Sequence, residues 1–155
     1  MHFESCLYIC TFNLQAKLLF NYLEKIKMNK NILVTGASSG FGLLIATELH
    51  SKGYNVIGTS RNPETIQASV PFKIIALDLD SEQSINTLPE KIFKEIDRLD
   101  VLINNAGFLV SGIAEEIPVE LGIKQLEINF WGTVKVTNAI LPYFRKQKSG
   151  KIITI

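Results

Sequence analysis

The chain has 155 residues, a formal net charge of +1 and 46% hydrophobic residues. This length suffices for one domain with a substantial core, and the composition is typical of a soluble globular protein rather than a disordered one. The 16 basic and 15 acidic residues nearly balance and form no basic block, which disfavours nucleic-acid binding through a charged face.

Residues 1–27 differ from the rest and are predicted to be an N-terminal extension of uncertain role. Their apolar runs are far shorter than the roughly twenty residues that span a bilayer, so we expect no transmembrane segment. The first residues lack a basic cluster and a small-residue cleavage site, which disfavours a signal peptide. Two interpretations stay open. The segment is an amphipathic helix that packs on the domain or a membrane surface, or it is an extension from an upstream start, which Met28 favours.

Both cysteines, Cys6 and Cys10, lie in this extension. A single Cys-x-x-x-Cys pair without nearby ligands is a poor metal site, and two cysteines do not make a disulfide framework. We therefore predict no metal and a reducing, cytoplasmic location.

From residue 28 onward, strands and helices are predicted to alternate. Short apolar runs predict strands at 32–35, 54–59, 72–77, 100–104 and 151–155. Periodicity predicts helices at 41–51, 81–96 and 119–146 and a short helix or turn at 63–69, with Ser81 as a cap and Pro89 as a point where the second helix bends or divides. Nearly continuous apolar strands that alternate with helices indicate an α/β fold with a doubly wound parallel sheet.

A glycine cluster follows the first predicted strand, with Gly36, Gly40 and Gly42 in Thr-Gly-Ala-Ser-Ser-Gly-Phe-Gly. At a strand-to-helix junction, glycines permit a tight turn, close approach of backbone N–H groups to a phosphate, and close packing of the helix on the strand. The N-terminus of that helix also favours an anion. By itself, however, a glycine cluster is more often a plain turn.

Arg61 follows the second predicted strand, about twenty residues beyond the glycines, where a NAD-binding protein usually has an acidic residue for the ribose 2′-hydroxyl. A guanidinium at this point can pair with a 2′-phosphate and stack on adenine, which favours NADP over NAD. The alternative is a solvated surface arginine.

Polar residues also follow the third and fourth predicted strands, at the edge where ligands bind in such sheets. Asp78 can accept a hydrogen bond from an adenine amino group, while Asp80 or Ser81 caps the next helix. Residues 104–107, Asn-Asn-Ala-Gly, combine two amides with two small residues and so permit several hydrogen bonds and close backbone approach. Alone, this tetrapeptide is also an ordinary turn.

Taken together, the glycine cluster, Asp78, the Asn-Asn-Ala-Gly segment and the later Asn-Phe-Trp-Gly at 129–132 resemble the short-chain dehydrogenase/reductase family. The resemblance covers residues 30–155 and is closer to the single-domain branch than to the extended sugar-nucleotide branch. It implies a Rossmann-type sheet, with residues 28–155 as a partial NAD(P)-binding domain truncated after the fifth strand. It also implies hydride transfer between NADP(H) and a small-molecule carbonyl or alcohol, and a full-length form that is a homo-oligomer.

The resemblance also implies roles for individual residues. Asn129 matches the family asparagine that holds a water in the proton relay, Arg61 favours NADP, and Asp78 and Leu79 contact adenine. The residues implied around the rest of the cofactor are Gly36, Ser38, Ser39, Gly40, Phe41, Gly42, Asn104, Ala106 and Gly107. The asparagines are expected to brace the central strands as well. Trp131 is interpreted as packing, and the apolar loop 108–113 as either the floor of a substrate pocket or ordinary packing.

The family's catalytic serine, tyrosine and lysine have no match here, since none of Tyr8, Tyr22, Tyr54 and Tyr143 precedes a lysine by four residues. Three hypotheses follow: the N-terminal portion of an NADP-dependent oxidoreductase, a stand-alone nucleotide-binding or regulatory module, or one part of an enzyme completed by a separate chain. We favour the first, because the sequence ends within a predicted strand. We expect the chain alone to be inactive and prone to aggregation.

Overall fold

The computed structural model describes residues 30–113 and 115–155, so the predictions for residues 1–27 lie outside the described residues. Five strands form one sheet: β1 (Asn31–Val34), β2 (Asn55–Ser60), β3 (Lys73–Ala76), β4 (Val101–Asn104) and β5 (Lys151–Thr154). Their order is β3-β2-β1-β4-β5, and every neighbouring pair is parallel. The predicted α/β fold with a parallel sheet is therefore confirmed, and each strand lies within one residue of its predicted bounds.

Five α-helices connect these strands: α1 (Gly40–Ser51), α2 (Glu82–Asn86), α3 (Leu88–Glu95), α4 (Val119–Leu126) and α5 (Thr133–Lys146). Two short 3₁₀ turns, Pro63–Thr65 and Gln67–Ser69, lie between β2 and β3, where a short helix or turn was predicted.

The helix predicted at 81–96 begins and divides at the expected residues. The Ser81 hydroxyl accepts a hydrogen bond from the Ser84 amide at 3.2 Å, which caps α2. Pro89 lies in the first turn of α3, where its missing N–H breaks no helical hydrogen bond, and the division falls just before it at Thr87.

The helix predicted at 119–146 is present over these residues, but its middle is not α-helical. A π-helical segment (Glu127–Gly132) separates α4 from α5. Such a segment changes the hydrogen-bond spacing without breaking the helical path, so the apolar periodicity of the sequence does not reveal it. Asn129 lies inside this segment.

Two apolar clusters cover the two faces of the sheet, as a doubly wound fold requires. Because side chains alternate along a strand, Ile32 and Val34 pack with α1 on one face, while Leu33 packs with α3 and α5 on the other. The central strands β1 and β4 are almost completely buried, whereas most of β5 is exposed.

A row of apolar side chains on α4 and the π-helical segment is exposed. Val119, Ile123 and Leu126 follow one another at helical spacing along α4, with 72%, 57% and 64% of their surfaces exposed. Phe130 and Trp131 continue this exposure in the π-helical segment. We call these five side chains the α4 apolar surface. In the part of the chain that the structure describes, no helix is both long and apolar enough to cross a membrane.

Candidate functional site

The carboxyl ends of β1 and β4 meet at the centre of the sheet, where the strand order reverses direction. Ligands of doubly wound sheets bind at this point. A cleft of about 770 Å³ opens there. Its lining residues come from the carboxyl ends of β1 to β4 and the segments that follow them, and from α4 and the π-helical segment. They are Gly36, Ser38, Ser39, Gly40, Phe41, Thr59, Ser60, Arg61, Leu77, Asp78, Leu79, Asp80, Asn105, Ala106, Gly107, Phe108, Leu121, Lys124 and Ile128.

The turn between β1 and α1 has a backbone that favours glycine at two positions. Gly36 and Gly40 have φ angles of +67° and +54°, in the left-handed region that side chains disfavour. A Cβ on Gly36 would lie 2.8 Å from the Cα of Ala106, so the turns after β1 and β4 are in direct contact. A Cβ on Gly40 would meet no atom within 4 Å, because this residue faces the open cleft.

Gly42 lies beneath the cleft rather than on its wall. It is buried, and a Cβ there would overlap the carbonyl oxygen of Gly36 and the side-chain nitrogen of Asn105. The first turn of α1 therefore packs directly on the glycine turn, which only a residue without a side chain permits.

Thr35 joins the turns that follow β1 and β4. Its buried hydroxyl oxygen accepts hydrogen bonds from the amides of Asn105 at 2.9 Å and Ala106 at 3.0 Å. In return, the Asn105 side chain donates to the carbonyl oxygens of Thr35 at 2.9 Å and Gly36 at 3.2 Å. The expected bracing of the central strands by an asparagine is therefore present at Asn105. The sequence-based residue set includes neither Thr35 nor Asn105 as a site residue, although both belong to motifs that it used.

Thr59, at the end of β2, holds the glycine turn from the other side. Its hydroxyl accepts a hydrogen bond from the Gly36 amide at 3.1 Å, and its carbonyl accepts one from Ala37 at 2.8 Å. Sequence reasoning missed Thr59 because a buried threonine in a strand is usually only a strand former.

The N-terminus of α1 opens toward the cleft. Its N-cap residue, Ser39, makes no side-chain capping hydrogen bond, and the first turn contains no acidic residue. Gly40 and Phe41 of this turn line the cleft. The partial positive charge of the helix end is therefore available to an anion in the cleft.

Arg61 lies where the cleft meets a second cavity of about 410 Å³. Hydroxyl and amide side chains dominate the lining of that cavity, and no carboxylate is among them: Ser38, Ser60, Arg61, Asn62, Thr65, Ile66 and Ser69. Arg61 is exposed and makes no ion pair with any residue that the structure describes. The cavity therefore offers several hydroxyl and amide hydrogen-bond donors around the Arg61 guanidinium, an arrangement that suits an anion.

Asp78 and Leu79 form the wall of the cleft after β3. The Asp78 amide donates to the Ser84 hydroxyl at 2.9 Å, and its carboxylate accepts from the Asp80 amide at 3.1 Å, which fixes this turn. Leu79 approaches the π-helical segment so closely that a Cβ on Gly132 would lie 3.0 Å from the Leu79 Cβ.

Asp80 and Lys124, which both line the cleft, form an ion pair between this turn and α4. Both side chains are about half exposed, at 49% and 44%, so the pair contributes little to stability.

Asn104 is placed differently from the prediction that it lines the cofactor. Its side chain is buried on the face of the sheet that carries Leu102 and donates to the Thr137 hydroxyl of α5 at 3.0 Å. The reason is the two-residue alternation of strand side chains, which sends Asn104 away from the cleft and Asn105 toward it. The Oδ1 atom of Asn104 has no hydrogen-bond partner among the described residues.

Asn129 also lies behind the cleft wall. Its side chain pairs with the backbone of Phe108, accepting from the amide at 3.0 Å and donating to the carbonyl at 2.8 Å. A Cβ on Gly107 would lie 2.9 Å from the Asn129 Oδ1, so this pairing requires the glycine. The backbone carbonyl of Asn129 accepts a hydrogen bond from the Thr133 hydroxyl at 2.8 Å.

The structure thus brings most of the predicted residues to one cleft. Gly42, Asn104 and Asn129 lie behind its walls, and the others line it: Gly36, Ser38, Ser39, Gly40, Phe41, Arg61, Asp78, Leu79, Ala106 and Gly107.

Comparison with known sequences gives one consistent result. The sequence profile of the short chain dehydrogenase family matches residues 30–155. The chain is 43% identical over 124 residues to a 3-ketodihydrosphingosine reductase of Bacteroides thetaiotaomicron, a match that covers 80% of this chain and 45% of that protein. It is 41% identical over 139 residues to the uncharacterized oxidoreductase YusZ of Bacillus subtilis, covering 83% and 49%.

Solved structures agree with the sequence matches. A short-chain dehydrogenase from Streptomyces avermitilis superimposes with a TM-score of 0.74 at 34% identity, covering 83% of this chain and 49% of that one. The ligand-free aldohexose dehydrogenase of Thermoplasma acidophilum gives a TM-score of 0.73 at 26% identity, covering 82% and 49%. The chain spans about half the length of these relatives.

Proposed function

The chain belongs to the short-chain dehydrogenase family, and from this premise we propose that it binds NADP(H) as part of an oxidoreductase that interconverts a carbonyl and an alcohol. The observation that carries the proposal is the single cleft that joins the glycine turn, the N-terminus of α1, Asp78 and Arg61. A nicotinamide cofactor supplies or accepts the hydride when it is bound there.

The glycine turn suits a pyrophosphate. The positive-φ backbone at Gly36 and Gly40, the open space at Gly40 and the uncapped end of α1 together offer backbone N–H groups to an anion. We assign Ser38, Ser39 and Phe41 to the same role because they line this part of the cleft. Gly42 acts indirectly, by allowing α1 to begin this close to the turn.

The remaining cleft residues suit the other parts of the cofactor. We assign Asp78 and Leu79 to adenine, since both line the wall after β3 and Asp78 is held in a fixed turn. Ala106 and Gly107 line the opposite wall, where small residues permit close approach. Asn104 braces the sheet through Thr137 rather than lining the cofactor.

We propose NADP rather than NAD because of Arg61. The second cavity combines this guanidinium with the hydroxyls of Ser38 and Ser60, and no carboxylate lines it. A 2′-phosphate needs donors and a positive charge, whereas a carboxylate at this point would bind the ribose 2′-hydroxyl of NAD.

We assign Asn129 to the proton relay, as the family resemblance implies. Its side-chain oxygen and nitrogen each make one hydrogen bond to Phe108, and each has the capacity for one more, to a water. The backbone carbonyl of Asn129 accepts a hydrogen bond from the Thr133 hydroxyl, which fixes this residue further. The π-helical geometry supports the assignment, since such segments are frequent at functional sites.

The substrate proposal stops at the chemical class. The named relatives are a reductase of a keto compound and a dehydrogenase of an aldohexose, which share only the carbonyl and alcohol pair. We further propose a cytoplasmic location and a homo-oligomeric full-length form. Light scattering coupled to size-exclusion chromatography tests the oligomeric state.

A second candidate is a nucleotide-binding or regulatory module without catalysis. It is favoured by the absence of any Tyr-x-x-x-Lys in the 155 residues. In either case we expect residues 1–155 alone to bind the cofactor but not to oxidise NADPH in the presence of ketones or aldehydes. Turnover above the rate without protein would contradict this expectation.

Arg61→Ala tests the choice of cofactor. Loss of a charge-assisted contact is expected to raise the Kd for NADPH about tenfold to a hundredfold and to leave the Kd for NADH almost unchanged. Both are measured by isothermal titration of each cofactor into the wild type and the variant. The control is Arg145→Ala, which removes an exposed arginine on α5, away from the cleft. Equal affinity of the wild type for the two cofactors would overturn the proposal.

A further inference from the structure

Two amide side chains, one helical turn apart, hold the same stretch of loop. Asn129 pairs with both backbone groups of Phe108, and Gln125 accepts a hydrogen bond from the Val110 amide at 2.7 Å. Gln125 lies near the end of α4 and Asn129 in the π-helical segment, four residues further along the chain. We call this pair of side chains the amide ladder.

The amide ladder binds the segment 108–110 as a neighbouring strand would. Phe108 and Val110 are two residues apart, so their backbone groups point the same way in an extended chain, toward the helix. Three hydrogen bonds from these two side chains, at 3.0, 2.8 and 2.7 Å, take the place of the backbone hydrogen bonds that a neighbouring strand would make.

Side-chain packing leaves the middle of this segment unsupported. Leu109 is 78% exposed, whereas Phe108 is 38% exposed and Val110 is half-buried. The hydrogen bonds of the amide ladder therefore add to the packing of Phe108 and Val110 in ordering the backbone. Phe108 also lines the cleft, so the position of this segment sets one of the cleft's walls.

We propose that Gln125 is a positioning residue that works with Asn129 to fix Phe108 at the wall of the cofactor cleft. Gln125 does not line the cleft itself and acts through the Val110 backbone. The effect on cofactor affinity rests on the function proposed above, whereas the effect on the order of the loop does not.

The test compares Gln125→Met and Gln125→Glu in the chain of 155 residues. Methionine keeps the length and flexibility of the side chain but removes the oxygen acceptor, while glutamate keeps an oxygen at the same place. The control is Gln83→Met, the same exchange at an exposed position of α2. The measurements are the hydrogen-exchange rates of the Phe108 and Val110 amides by NMR, and the Kd for NADPH by titration.

Gln125→Met is expected to accelerate exchange of both amides about tenfold, as loss of one hydrogen bond permits, and to raise the Kd for NADPH about threefold to tenfold. Gln125→Glu should lie closer to the wild type in both measurements, and Gln83→Met should change neither.

Three results would overturn the proposal: unchanged exchange of Val110 in Gln125→Met, faster exchange of Val110 without any change at Phe108, or faster exchange of both amides with an unaltered Kd. If the wild type binds neither NADPH nor NADH, the proposed function fails, and the exchange rates of the two amides alone decide whether the ladder acts as a unit.

Discussion

The glycine turn after β1 and the α4 apolar surface differ in how completely this chain packs them. Around the turn, Thr35 and Ala37 are buried, and the backbone is fixed by a hydrogen bond that Asn105 donates and by one that Thr59 accepts. Along α4 no residue is buried, and Leu126 has 64% of its surface exposed. The turn is therefore complete within the described residues, and the α4 surface is not covered by them. Substitutions should destabilise the protein in the first region and leave its stability nearly unchanged on the α4 apolar surface.

The largest effect is expected for Gly42→Ala. The new methyl group would overlap the Gly36 carbonyl and the Asn105 side chain, both of which are held by hydrogen bonds and cannot move freely. We expect the free energy of unfolding to fall by about 3 kcal/mol or more, with loss of NADPH binding. Urea denaturation followed by circular dichroism measures the change.

Gly122→Ala is the matched control for this substitution. Gly122 lies inside α4, and a Cβ there would meet no atom within 4 Å. Alanine should raise the free energy of unfolding by about 0.5–1 kcal/mol, because glycine is a poor helix former. Equal destabilisation by the two exchanges would contradict the contrast between the regions.

A smaller effect is expected for Thr35→Val. Valine keeps the shape of the side chain but removes the oxygen that accepts from the amides of Asn105 and Ala106. Two partly buried donors would then lose a partner, and stability should fall by about 2 kcal/mol. Thr35→Ser, which keeps the hydroxyl, should recover most of this loss in the same denaturation assay. A valine variant as stable as the wild type would contradict the prediction, and a serine variant as unstable as the valine variant would show that the methyl group contributes as much as the hydroxyl.

The smallest effect on stability is expected for Leu126→Gln on the α4 apolar surface. The side chain is mostly exposed, so the free energy of unfolding should change by less than about 0.5 kcal/mol. Light scattering of concentrated protein should nevertheless fall, because exposed apolar area drives association. Glu120→Gln, on the same helix, leaves the apolar area unchanged and should not alter the scattering. Destabilisation by Leu126→Gln of about 1.5–3 kcal/mol, the range for full burial of such a side chain, would mean that this surface is covered.

The sequence was most informative where one residue type is required by its surroundings. Buried parallel strands are continuously apolar, so their positions could be predicted to within one residue. Gly36 and Gly42 could be predicted because a side chain at either position would clash with the turn.

The sequence was least informative where a residue's role depends on the local hydrogen-bond pattern, on the face of the sheet to which its side chain points, or on a partner far away in the chain. The π-helical segment differs from an α-helix in its hydrogen-bond spacing, which the residue types do not reveal, so Asn129 was expected in an ordinary long helix. Asn104 packs against α5 and Asn105 holds the glycine turn because successive side chains at the end of β4 point to opposite sides. The role of Thr59 depends on a turn that lies 23 residues earlier in the chain.

The ion pair between Asp80 and Lys124 has a consequence for the electrostatics of the cleft. The charged side chains along its walls are Arg61, Lys124, Asp78 and Asp80, and their formal charges cancel. Attraction of a polyanionic dinucleotide therefore cannot come from net charge. For the proposed cofactor, it must come from oriented backbone dipoles at the glycine turn and from Arg61, which makes no ion pair with another described residue. Backbone dipoles that contact the ligand directly are screened less by dissolved salt than an exposed charge is, so the contribution of the glycine turn should persist at high ionic strength while that of Arg61 falls.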